Sequence, residues 1–125
     1  MRRTLLCIAG ASALAITLTG CGDKGGSGSK AAACTPVSSS ITVGALDQLK
    51  FDAPSYEASP SCVQVTYRNE GSLAHTLLVK DHKGFKLSIG KTDTGTVALD
   101  AGTYTLYCDV AGHEAAGMKA TLTVG

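Results

Sequence analysis

The chain of 125 residues has no Trp, and aromatic side chains make up only 5% of it. It also lacks an excess of either charge. With 11 basic and 10 acidic side chains its formal net charge is +1, so it has no basic footprint of the kind duplex nucleic-acid binding needs. No pair of carboxylates is spaced for acid–base catalysis, no sustained 3.6-residue apolar period runs through the chain, and no internal repeat is present. The length excludes a multidomain enzyme, because small cores weaken quickly as residues are removed. Gly25-Gly26-Ser27-Gly28 does not lie between a strand and a helix pattern, which excludes a phosphate loop.

Mean hydropathy is slightly positive, and much of that comes from the start of the chain. Arg2 and Arg3 precede an uncharged stretch from Thr4 to Gly20, the arrangement of a secretory signal with an apolar run of roughly 15 residues. A spanning helix needs about 20 strongly apolar residues, and Gly10, Ser12, Thr17, Thr19 and Gly20 dilute this run. Leu18-Thr19-Gly20-Cys21 resembles a bacterial lipobox, which implies a signal peptide over 1–20 and a lipid anchor on Cys21. Cleavage before Cys21 removes Arg2 and Arg3 and leaves nine basic against ten acidic residues. The expected site of action is the cell membrane, lipid-anchored on its extracytoplasmic face, periplasmic or extracellular. Residues 22–33 hold no apolar side chain larger than Ala. With Cys21 they form a tether, 21–33, whose root-mean-square span is roughly 20 Å, leading to a folded domain over 34–125.

If Cys21 carries lipid, then Cys34, Cys62 and Cys108 remain in an oxidising compartment, and three thiols cannot all pair internally. Cys34 sits at the edge of the folded part and Cys62 at the start of a strand pattern. A Cys34–Cys62 disulfide there pins the N-terminal segment and contributes about 3 to 4 kcal/mol in the loop-entropy model. Cys108 is then the odd one out, with three fates open to it: buried and inert, bridged to another molecule, or bound to metal.

From Cys34 onward, short alternating runs are broken by Gly, Asp and Pro, which predicts an all-β sandwich or barrel of about seven strands. The alternating sets are Ile41 and Val43; Val63, Val65 and Tyr67; His75, Leu77 and Val79; Val97 and Leu99; Tyr104, Leu106 and Cys108; and Met118, Ala120, Leu122 and Val124. Turns are expected at Asn69-Glu70-Gly71, His82-Lys83-Gly84, Thr94-Gly95 and Asp100-Ala101-Gly102. Ala45 to Lys50 could form one short helical turn. Alternation puts His75, Cys108 and Met118 on the apolar side of their strands and at strand ends. Polar groups in such places need a reason, because burial without a bond is costly.

The reason lies in the C-terminal segment. Cys108, His113 and Met118 are separated by four residues in each gap, so one tight loop supplies three soft donors. Thiolate, imidazole and thioether together favour copper, and a second imidazole completes a trigonal plane. His75 is the natural candidate. The usage of types is economical: of three histidines and two methionines in the whole chain, two His and the Met other than Met1 occupy these positions.

With His75 after Asn69-Glu70-Gly71, and Cys108-x4-His113-x4-Met118, the chain resembles the type 1 blue copper proteins of the cupredoxin family over roughly Ile41 to Val124. Azurins share the first gap, plastocyanins the second and auracyanins both. The resemblance implies a Greek-key β-sandwich of about seven to eight strands and one copper ion cycling between Cu(I) and Cu(II). It also implies His75, Cys108 and His113 as equatorial ligands and Met118 as the weak axial one. The implied function is single-electron shuttling between a redox donor and acceptor: a cytochrome, a respiratory or photosynthetic complex, or a copper reductase. The protein would act as a monomer, without enzymatic turnover. Small residues around His113 imply a flat patch for a partner. The family's usual Asn after the strand His is replaced by Thr76, whose hydroxyl could tie the ligand loops in part. Asp109 is expected to face solvent, His82 to sit exposed in a turn, and Tyr107 to pack rather than relay electrons.

Copper buffering or delivery is the alternative. Delivery proteins present exposed Met and His clusters, whereas Met118 stands alone in a closed loop. A structural lipoprotein that has lost its metal is disfavoured by retention of all four donors. Multicopper oxidases need more His than this chain holds, and a binuclear copper site needs a second Cys where position 112 is Gly.

Overall fold

A computed structural model describes residues 33–88 and 90–125. The expected signal peptide, Cys21 and the tether as far as residue 32 lie outside the described residues. Nine strands occur among those described: β1 (Ser39–Leu46), β2 (Lys50–Phe51), β3 (Ser55–Ala58), β4 (Ser61–Asn69), β5 (Leu77–Val79), β6 (Lys86–Leu87), β7 (Thr92–Leu99), β8 (Gly102–Tyr107) and β9 (Lys119–Val124). They form two sheets, one ordered β2-β1-β4-β7 and the other β3-β9-β8-β5-β6. β1 runs parallel to β4 and β3 parallel to β9, and the remaining pairs are antiparallel.

The alternating residues form the core between the sheets. Val43, Val63, Val65, Tyr67, Leu77, Leu106 and Leu122 are completely buried, and Val79, Val97, Leu99 and Val124 nearly so. Each side chain points inward every second residue because strand side chains alternate in direction. In β9, for instance, Ala120, Leu122 and Val124 are buried while Lys119, Thr121 and Thr123 are exposed.

Two local expectations are corrected. Ala45 to Lys50 is not a helical turn. β1 continues to Leu46, the chain reverses with Leu49 at φ +56°, and Ala45 pairs with Phe51 across the hairpin. A left-handed residue stops any helix, and the hairpin buries Ala45 and Phe51. Thr94-Gly95 is not a turn either; it lies inside β7, where Gly95 pairs with Val65. A Cβ at Gly95 would sit 3.0 Å from Leu87 and 3.4 Å from Phe85, so this glycine lets β6 approach β7 across the core. Strands β2, β3 and β6 were not anticipated; β2 and β6 have two residues each, too few for a period.

Cys34 and Cys62 are joined by a disulfide, leaving Cys108 free and buried. Around the bridge, Ser38 Oγ donates to the Cys62 carbonyl at 2.8 Å and accepts from the Cys62 amide at 3.0 Å. This fastens the entering chain to the start of β4. The other end of β4, at Asn69, points toward the pole where His75, Cys108 and Met118 gather.

Candidate metal centre

Cys108 follows the last residue of β8 and Met118 precedes the first residue of β9, so the antiparallel pair Tyr107 and Lys119 sets the mouth of the loop. The Cys108 amide donates to the Met118 carbonyl at 3.2 Å, and the Met118 amide to the His113 carbonyl at 3.0 Å. The amides of His113, Ala116 and Gly117 donate to the carbonyls of Val110, Gly112 and Glu114, each at 3.0 Å. Gly112 at φ +83° and Gly117 at φ +108° make these reversals, in conformations that side chains resist. A glycine therefore stands immediately before each of the last two donors, and the loop closes through its own backbone.

His75 arrives differently. It lies in the loop between β4 and β5, two residues before β5 begins, and is 3% exposed. The Tyr67 hydroxyl donates to the His75 carbonyl at 3.1 Å. Asn69 Nδ2 donates to the Leu73 carbonyl at 2.8 Å, and Lys91 Nζ to the Gly71 carbonyl at 2.9 Å. Asp47, on the β1–β2 turn, accepts the amides of Ser72 and Leu73 at 2.9 Å. Those two amides hold the Asp47 carboxyl below its ordinary value.

The donors meet. His75 Nδ1 lies 3.3 Å from His113 Nδ1, and Cys108 Sγ 3.5 Å from His113 Nδ1. One donor atom from each of the three residues falls within 4.8 Å of the others. The two imidazoles are tilted by 56° rather than stacked. Burial first, and then the neighbouring His113, pushes the His75 pKa below its usual value, which leaves the ring neutral with a lone pair available. Cys108 and Met118 are completely buried, while His113 is half-buried behind exposed Ala111, Gly112, Ala115 and Ala116. Tyr67 beneath His75 is raised to about 12, by burial first and then by the Cys108 charge.

Thr76 does tie the loops. Its amide lies 3.4 Å and its hydroxyl 3.5 Å from Cys108 Sγ, and the hydroxyl donates to Asp109 Oδ1 at 2.7 Å while accepting the Asp109 amide at 3.0 Å. The hydroxyl has one proton, and the shorter bond to a charged oxygen wins it, so the sulfur keeps the backbone N–H. Asp109 is exposed as expected, but its other oxygen accepts from Lys86 Nζ at 2.7 Å. Burial acts upward on Asp109, yet the bonds from Lys86 and Thr76 leave its pKa below the ordinary value. Glu114 pairs with Lys80 at 3.5 Å on the rim. His82 stays in its turn, with Nδ1 3.1 Å from the Lys80 carbonyl and its ring edge-on to Tyr104, outside the donor cluster. Asp47, Tyr67 and Lys86 were not foreseen, because each reaches the site from a distant part of the chain with no spacing to mark it.

Two imidazoles, a thiol and a neighbouring thioether at one pole of a two-sheet β-sandwich define a copper-binding protein of the electron-transfer class. The model of the copper binding proteins of the plastocyanin/azurin family matches residues 37–125, and the chain belongs to that cupredoxin family, with copper as its cofactor. No curated protein matches it in sequence. Two similar solved structures are auracyanins. One is the dithionite-reduced auracyanin of the photosynthetic bacterium Roseiflexus castenholzii, at TM-score 0.60 and 20% identity, covering 72% of this chain and 99% of that one. The other is auracyanin B, at TM-score 0.59 and 22% identity, covering 78% of this chain and 96% of that one. Likeness at these identities establishes the fold.

Proposed function

We propose that this protein is a membrane-tethered electron carrier. His75 Nδ1, Cys108 Sγ, His113 Nδ1 and the Met118 thioether would hold one copper ion. The observation that carries the reading is the convergence of the three donor atoms within 4.8 Å, Cys108 and His113 from a loop closed by its own backbone and His75 from the β4–β5 loop. Copper supplies one-electron chemistry between Cu(I) and Cu(II) on such a donor set.

The chain's own residues do the rest. Hydrogen bonds at the loop mouth hold Cys108 and Met118 at fixed strand ends, so the donor set changes little between oxidation states. Burial of Cys108, Met118 and His75 keeps water from them, and the Thr76 amide faces the sulfur. His113, half-buried among small residues, offers the edge at which a partner docks. Docking of low area suits a carrier that leaves after each transfer. The partners are a redox donor and acceptor such as a cytochrome, a respiratory or photosynthetic complex, or a copper reductase. The anchor is lipid on Cys21, the location the extracytoplasmic face of the membrane, and the working state a monomer without enzymatic turnover. The reduced form in which the Roseiflexus castenholzii auracyanin was crystallised supports a redox role by analogy.

Copper(II) added to the purified protein should produce an intense blue colour through thiolate-to-copper charge transfer, and Cys108→Ser should abolish it. A colourless product that binds zinc equally well contradicts the proposal. Rapid loss of copper to a chelator with slow electron exchange would instead support buffering or delivery.

A further inference from the structure

The imidazole of His75 has two edges, and only one is explained by the donor cluster. Nδ1 faces His113 Nδ1 at 3.3 Å. Nε2, on the opposite edge, is buried and has no hydrogen-bond partner. When Nδ1 gives its lone pair to a metal, Nε2 must carry the ring proton, so this buried atom is a donor. The acidic group facing it is Asp47, whose Oδ1 lies 3.8 Å away.

Asp47 is not there by chance of a mobile surface chain. Its Oδ1 accepts both the Ser72 and Leu73 amides at 2.9 Å, and its Oδ2 lies 2.9 Å from the Ser72 amide as well. A Cβ on residue 71 would fall 2.0 Å from Asp47 Oδ1 and 2.3 Å from its Cγ, so only glycine leaves room for the carboxylate. The chain thus spends a glycine and two loop amides on seating one carboxylate beside the outer edge of a buried imidazole.

We propose that Asp47 is a positioning residue of the copper site: its carboxylate is the charged acceptor that orients His75 through the Nε2 proton. This rests on His75 binding copper. The separation of 3.8 Å exceeds a normal N–H···O bond of about 2.9 Å, and a ring shift of about 1 Å completes the bond. An acceptor of this kind fixes the tautomer and makes the imidazole a better donor. Its negative charge also favours the cupric over the cuprous ion.

The test compares the copper-loaded full chain with Asp47→Asn, which keeps an oxygen for the two loop amides and removes the charge, and with Glu57→Gln, which removes an equal charge on β3. Asp47→Asn should stay blue, lose copper to a chelator about 10-fold to 100-fold faster, and shift its reduction potential upward. A tenfold loss of preference for Cu(II) over Cu(I) reads as about 59 mV. Glu57→Gln should match the wild type. In the diamagnetic Cu(I) wild type, proton NMR should show a slowly exchanging His75 Nε2–H, a readout independent of whether any variant folds. An Asp47→Asn protein that is blue with unchanged potential and unchanged copper loss overturns the role of Asp47 alone, as does a His75 Nε2 proton that exchanges freely. A wild-type chain that stays colourless with copper overturns the copper assignment and this inference with it.

Discussion

The two ends of β4 are built for different tasks. At the Cys62 end a covalent bridge and paired Ser38 hydrogen bonds fasten the entering chain. At the Asn69 end no covalent link occurs among the described residues, and the loops that carry the donors are held by hydrogen bonds and ion pairs. Stability and chemistry are therefore separated along one strand, and Cys108, the free thiol among the described residues, sits at the electron-transfer pole away from the disulfide. Within that pole the two donor loops differ again: residues 108–118 close on themselves, whereas the His75 loop is braced by Asp47, Tyr67, Asn69 and Lys91 from other elements.

Breaking the disulfide should have the largest effect on stability and the least on the site. Cys34→Ser combined with Cys62→Ser should lose about 3 to 4 kcal/mol in denaturant unfolding and retain the blue spectrum with copper. Loss of the colour at full folding would show that the two ends are coupled. Gly117→Ala attacks the self-closing loop directly. Nothing lies within 4 Å of the added Cβ, so the cost is backbone strain alone, about 1 to 3 kcal/mol, and the charge-transfer band should shift because Met118 follows directly.

Tyr67→Phe tests the braced loop. It removes the bond to the His75 carbonyl and should cost about 1 kcal/mol at neutral pH. Burial raises the Tyr67 pKa to about 12, so the fold favours the neutral phenol. That contribution is intact below pH 10, the ordinary tyrosine value, and is lost as pH rises toward 12; the alkaline fall in melting temperature should therefore be shallower in Tyr67→Phe than in wild type. The smallest effect belongs to Lys86→Ala. The Lys86–Asp109 pair is partly exposed, and removing it should change stability by less than about 1 kcal/mol. If Asp109 then swings free, the Thr76 hydroxyl turns toward Cys108 Sγ, which the energy of the charge-transfer band would report.

The fold was legible wherever a strand was long enough to show its period. Ile41 and Val43, Val63 to Tyr67, and Ala120 to Val124 all face the core as their alternation required. It was not legible in β2 and β6, where two residues carry no period, nor at Gly95, where a turn former serves a close approach between sheets. The donor loop was readable because Cys108, His113 and Met118 are neighbours in sequence and their spacing is the site. His75 was expected at the end of a strand with Leu77 and Val79, but β5 starts two residues after it, so its residue type marked it correctly and the strand placement did not hold.

The nearest-neighbour chemistry was thus written into the chain: the alternating faces, the glycines that reverse the backbone before His113 and Met118, and the set of soft donors. These depend on contacts within about a dozen residues, which spacing alone specifies. The partners of those donors were set by the packing of strands far apart in sequence. Asp47 reaches His75, Tyr67 reaches its carbonyl, and Lys86 reaches Asp109 only because the register of the two sheets brings their ends to one pole. No local pattern encodes a meeting between residues whose distance depends on how every intervening strand is paired.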